Sequence, residues 1–129
     1  MNRPRVLFVE DANISRRKFV ALIKSLDCDV KEASDGEMAL LLANSFLPHL
    51  ILLDLHMPKR NGISVLEILR SDHRFKKTII VILTGEANMK VVQLAISKGA
   101  NDYLLKSDTL ANLKARLLEH INAIQQQDD

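Results

Sequence analysis

Four stretches of this chain carry side chains able to do chemistry, and each side chain follows an apolar run. Arg5–Val9 (RVLFV) leads into Glu10-Asp11, Leu50–Leu53 into Asp54, Thr78–Leu83 (TIIVIL) into Thr84, and Asp102–Leu105 (DYLL) into Lys106. Short runs this dense in Ile, Val and Leu read as strands of a parallel sheet buried on both faces. Parallel strands point one way, so the groups that end them converge on the carboxyl edge, where open α/β sheets keep their binding crevice. Carboxylates gathered there repel: two unit charges about 4 Å apart cost about 4 kcal/mol at an effective dielectric near 20. A hard divalent cation removes that cost, and Mg²⁺ typically takes one or two carboxylates, several waters and a phosphate oxygen. Lys106 and the Thr84 hydroxyl suit the other oxygens of a phosphoryl group, one as a point charge and one as a neutral hydrogen bond. The set reads as Mg²⁺ plus phosphate, with Asp54 as a nucleophile that would carry the phosphoryl group as an acyl phosphate.

Each of these residues also has an ordinary role when taken singly. Asp54 caps a turn before Pro58, Glu10-Asp11 cap the first helix, Thr84 begins a helix, Tyr103 fills a strand, and Lys106 is a surface lysine. His56 is not expected to ligate through its ring, because imidazole prefers softer metals than Mg²⁺. His49, His73 and His120 show no ligand spacing.

The elements that must position these groups follow from periodicity. Asn13 is placed to cap a helix over about 14–26, with Phe19, Leu22, Ile23 and Leu26 on one face. Cys28–Ala33 alternates weakly, like an edge strand, and Ser34-Asp35-Gly36 starts a helix over 36–46. Pro48 separates that helix from the strand Leu50–Asp54. Ser64–Ser71 is a short amphipathic helix, and Asp72–Lys77 a polar connection. The helix over 88–98 turns Val91, Val92, Ala95 and Ile96 inward and stops at Gly99. The last helix, over 109–125, has an apolar stripe at Leu110, Leu113, Leu117, Ile121 and Ile124. The Met and Leu residues of the helices are expected in the core. Five strand–helix alternations with short connections imply βαβ units and a parallel sheet, hence an α/β fold.

Composition agrees with one domain. The chain has 129 residues, 47% of them hydrophobic and 26% charged, with a formal charge of +2. Arg16-Arg17-Lys18 and Lys76-Lys77 read as solvated surface, and aromatics at 4% argue against base-stacking platforms, so no direct nucleic-acid binding is expected. The single cysteine, Cys28, excludes an internal disulfide and a thiolate zinc cluster. No apolar run approaches membrane-spanning length, and the N-terminus lacks a signal-peptide core; a cytoplasmic location is expected.

ED at 10–11, LILLDLHMP around Asp54, LTG at 83–85 and DYLLK at 102–106 together resemble the receiver domain of bacterial two-component response regulators, over practically the whole chain. The resemblance implies one receiver domain over 1–129, with a polar tail from about 125, in the single-domain, chemotaxis-regulator form. Its fold would be flavodoxin-like, a doubly wound (βα)5 with five parallel strands in the order 2-1-3-4-5. It makes Asp54 the phosphoacceptor and Asp11 a direct Mg²⁺ ligand, with Glu10 holding the metal through water and the His56 backbone carbonyl completing the protein ligands. Lys106 would pair with the phosphoryl group, and Thr84 and Tyr103 would form the switch pair. His56 and Glu86, two residues beyond Asp54 and Thr84, would tune the lifetime of the phosphorylated state.

The chain departs from the usual pattern of that family at two places. Ser107 follows Lys106 where such domains usually have a cis proline; a cis bond before a non-proline residue costs about 2.5–4 kcal/mol, so either the site supports that strain or the loop takes another path. Lys59-Arg60-Asn61 also makes the rim more basic than usual.

The implied function is phosphotransfer from a histidine kinase or histidine phosphotransfer protein to Asp54. A downstream protein target, or a second copy in a homodimer, would be engaged by the surface of the fourth helix, fifth strand and fifth helix. Met89, Lys90, Gln93, Leu94 and Ser97 are expected on that surface. The alternative is a pseudo-receiver that binds partners without phosphorylation. An aspartate-nucleophile phosphatase would want an acid where His56 stands, and a flavodoxin-like electron carrier would not place Glu10-Asp11 against a flavin phosphate.

Overall fold

Each apolar run does become a strand. The computed structural model describes residues 3–55, 61–85 and 89–127. The elements are β1 (Arg5–Val9), α1 (Asn13–Lys24), β2 (Asp29–Ala33), α2 (Gly36–Phe46), β3 (Leu50–Asp54), α3 (Gly62–Ser71), β4 (Ile79–Thr84), α4 (Met89–Ser97), β5 (Asp102–Leu105) and α5 (Leu110–Gln127). The polar connection before β4 contains a single 3-10 turn, His73–Phe75. The five strands form one parallel sheet in the order β2-β1-β3-β4-β5, the doubly wound order expected.

Strand side chains alternate between two cores. Val6, Phe8, Leu50, Leu52, Val81, Leu83 and Leu104 pack with Phe19 and Ile23 of α1 and with Leu113, Leu117 and Ile121 of α5. Leu7, Val9, Ile51, Leu53, Ile80 and Ile82 pack with Ala39, Ala43, Val65, Leu66, Leu69 and Ala95 of α2, α3 and α4. β1, β3 and β4 are covered on both faces, which is why they show no alternation in sequence. β2 lies at the sheet edge and keeps Lys31 and Glu32 exposed.

Local chemistry sets the helix starts. The Asp35 carboxylate accepts from Met38 N at 2.9 Å and opens α2; Asn61 Oδ1 accepts from Ser64 N at 2.9 Å and opens α3. Asn13 is not a cap. The cap position is Ala12, and Asn13 is already helical, its Oδ1 accepting from Arg16 instead. α1 stops at Lys24, before Leu26, and Asp27 follows with φ of 63°.

Some apolar positions expected inside are exposed. Leu110 is 50% exposed as the first residue of α5, and Ile96 is 44% exposed because only Val92 and Ala95 of α4 are buried. Met38 and Leu41 are likewise exposed, and Met89 and Leu94 are exposed as expected of the α4 surface, so the helices are apolar beyond what the sheet can cover. Among the described residues no helix is long and apolar enough to cross a membrane.

Candidate functional site

The strand register brings the end groups together. Val9 pairs with Leu53, Asp54 with Leu83, and Thr84 with Leu105, so Glu10, Asp54, Thr84 and Lys106 all lie within about one residue of a common edge. Two backbone bonds extend the ladder past the strands: Glu10 N donates to Ala33 O at 3.0 Å, and Lys106 N to Thr84 O at 2.8 Å.

Alternation then divides the set. Glu10, Asp54 and Lys106 fall in step with the residues facing α1 and α5, whereas Thr84 falls in step with Ile80 and Ile82. Glu10, Asp11 and Asp54 each offer a carboxylate oxygen within 4.8 Å of the others'. Lys106 Nζ lies 2.6 Å from Glu10 Oε2 and 3.3 Å from Asp54 Oδ2, and so bridges the two buried carboxylates. Asp11 is exposed at the mouth.

Burial governs the electrostatics. It pushes the Glu10 carboxyl above its usual value, with the Lys106 hydrogen bond opposing and the Asp54 charge reinforcing. Burial alone would lower the Lys106 ammonium; the Glu10 hydrogen bond and the Asp54 and Glu10 charges outweigh it and hold the ammonium above its usual value. Glu10 Oε2 is fully buried and, apart from this ion pair, has no hydrogen-bond partner among the described residues. Three carboxylate oxygens this close fit a hard divalent cation such as Mg²⁺.

Thr84 and Tyr103 share the opposite face. Thr84 is buried at the end of β4, and Tyr103, which pairs in register with Ile82, packs half-buried against the core under α2, α3 and α4. The Lys106–Ser107 peptide is trans, so the loop takes the other of the two paths open to it. His56, Glu86 and the rim residues Lys59 and Arg60 lie outside the described residues.

Arg16 is the residue that sequence reading missed. Arg17 and Lys18 are solvated as expected, but the Arg16 side chain is only 18% exposed. It reaches back under the acidic loop and donates from Nη1 to Glu10 O at 2.9 Å. Its one signal in sequence is an arginine five residues beyond an acidic pair, which composition alone assigns to solvent.

A flavodoxin-like sheet with an acidic cluster and a lysine at its carboxyl edge defines a receiver-type protein. The family described as "Response regulator receiver domain" matches residues 6–118, and the chain belongs to that family. It is 32% identical over 114 residues to a probable chemotaxis protein CheY of Rhizobium etli, covering 88% of each chain. It is also 33% identical over 119 residues to a gliding motility regulatory protein of Myxococcus xanthus, spanning 92% of this chain but only 15% of that one. Among solved structures, the receiver domain of a sensor histidine kinase from Pseudomonas aeruginosa superposes with a TM-score of 0.84 at 27% identity, over 94% of this chain and 99% of the other. That domain holds a magnesium ion in its active-site cleft.

Proposed function

We propose that the chain, as one receiver domain over 1–129 with a polar tail from about 125, accepts a phosphoryl group on Asp54 from a phosphohistidine donor. The observation that carries this is the Lys106 ammonium set between the buried Glu10 and Asp54 carboxylates, 3.3 Å from Asp54 Oδ2, with Asp11 completing the acidic cluster. An Asp54 carboxylate oxygen forms the new bond to phosphorus, and the P–N bond to the donor imidazole breaks, its electron pair staying with the ring. Glu10, Asp11 and Asp54, with the His56 backbone carbonyl, would hold Mg²⁺. When bound, the cation offsets the charge of the transferring phosphoryl group.

Lys106 neutralises a second phosphoryl oxygen, and Thr84 presents its hydroxyl to a third. Drawing Thr84 toward the phosphoryl group opens space on its face of the sheet that Tyr103 fills, altering the surface of α4, β5 and α5. Met89, Lys90, Gln93, Leu94 and Ser97, all exposed, lie on α4 where a downstream protein or a second copy would read the change. His56 and Glu86 set how fast water removes the phosphoryl group. The chain would act in the bacterial cytoplasm, with a histidine kinase or histidine phosphotransfer protein as donor.

The test is acetyl phosphate or beryllofluoride with Mg²⁺, followed by intact mass and amide chemical shifts, on wild type and Asp54→Asn. Uptake of one phosphoryl group by wild type alone, with shifts reaching Tyr103 and α4, is expected. No Mg²⁺-dependent response in wild type leaves a phosphorylation-independent interaction module instead.

A further inference from the structure

The acidic loop between β1 and α1 has an unusual demand placed on it. It must hold two adjacent carboxylates against a third without backbone help from the sheet, because the ladder ends at Glu10 N. Arg16 supplies what the ladder does not. Its Nη1 donates to two successive carbonyls, Glu10 O at 2.9 Å and Asp11 O at 3.4 Å. Its Nη2 donates to Asn13 Oδ1 at 2.8 Å, and its Nε faces Glu32 Oε1 of β2 at 3.3 Å.

Two consecutive carbonyls on one nitrogen constrain the peptide planes on both sides of the Asp11 Cα. The direction of the Asp11 side chain is thereby set from behind, and both carbonyl oxygens are turned toward Arg16. Glu32 anchors the guanidinium from the neighbouring strand. Only a planar fork can serve carbonyls, amide oxygen and carboxylate at once; an ammonium has the charge but not the geometry.

The geometry points to Arg16 as a positioning residue for the divalent-cation site, acting through the backbone of Glu10 and Asp11. This rests on the phosphoacceptor reading above. Partners that orient ligands from outside the coordination shell change metal affinity by about 10–100-fold when removed. Arg16→Lys and Arg16→Met are therefore both expected to weaken Mg²⁺ binding by about tenfold or more, the lysine giving no rescue.

The experiment measures Mg²⁺ binding by calorimetry on the purified chain, for wild type, both variants and Asp11→Asn, at a temperature where circular dichroism shows each folded. Should Arg16→Met fail to fold, Arg16→Lys carries the comparison. Amide shifts of Asp11 and Ala12 should move in both Arg16 variants. Acetyl phosphate turnover should need more Mg²⁺ yet recover the wild-type rate at saturating Mg²⁺, a split that general destabilisation would not produce. Folded variants with wild-type Mg²⁺ affinity, or with a rate that stays low at saturation, overturn the role of Arg16. A wild-type chain that binds no Mg²⁺ overturns the phosphoacceptor reading itself.

Discussion

Glu10 is the residue under most tension, being a fully buried carboxylate whose countercharge is a lysine shared with Asp54. Its raised pKa has a consequence for stability. A carboxyl with a higher pKa in the folded state binds more protons folded than unfolded, so its favourable contribution is full below the unfolded value, about 4.3, and is lost as pH rises through the folded value. Without divalent cations, ionising Glu10 as pH rises therefore works against the fold. Glu10→Gln should raise the melting temperature of the metal-free chain by a few degrees and flatten its fall between acid and neutral pH, while weakening Mg²⁺ binding. Thermal melts of both proteins across that range check this; an equal or lower neutral-pH melting temperature in Glu10→Gln sinks it. Sites built for function commonly give up stability in this way.

At the scale of elements, two junctions hold the site in place. α3 begins hard against the end of β3: Gly62 N donates to Leu55 O at 3.0 Å, and a Cβ at Gly62 would lie 2.5 Å from Asp54 O and 2.6 Å from Leu55 Cα. Both contacts are backbone and cannot yield as a side chain would. Gly62→Ala should cost about 1–3 kcal/mol in urea unfolding and displace Asp54, lowering phosphoryl uptake more than its stability loss explains. Wild-type stability and uptake would show that α3 shifts freely.

The second junction ties β5 to α5. Asp102 accepts from Arg116 Nη2 at 2.6 Å and from His120 Nε2 at 2.9 Å. Burial would raise its pKa, but the His120 and Arg116 hydrogen bonds outweigh burial and lower it. A lowered carboxyl contributes stability above its unfolded value, about 3.9, and loses it as pH falls through the folded one. Asp102→Asn should cost about 1–3 kcal/mol at neutral pH, and the gap to wild type should close in acid. A gap that persists in acid would assign the loss to packing.

For the whole molecule, the proposed cation site would couple folding to binding, because β1, β3 and the β1–α1 loop meet there only in the folded sheet. A ligand that binds only the folded state at about a hundred times its dissociation constant adds about 2.7 kcal/mol. Mg²⁺ should raise the unfolding midpoint of wild type progressively with concentration and leave that of Asp11→Asn nearly unchanged. Parallel shifts in both proteins would trace the effect to ionic strength.

Sequence alone determined the class of fold and the polar groups that gather at the carboxyl edge of the sheet. Strands buried on both faces must be continuous apolar runs, and the polar residue ending each run is visible as a break in composition, so Glu10, Asp54, Thr84 and Lys106 could be named from order alone. Helix faces were less legible: Leu110 and Ile96 keep the helical period but fall beyond what the sheet covers, a limit set by tertiary packing. Only the folded chain decided the sharing of Lys106 between Glu10 and Asp54, the separation of Thr84 and Tyr103 onto the α4 face, and the trans path at Ser107. The same holds for Arg16, whose partners include backbone carbonyls and a residue of another strand. Carbonyls are the same at every position of a sequence, and only the fold aims them.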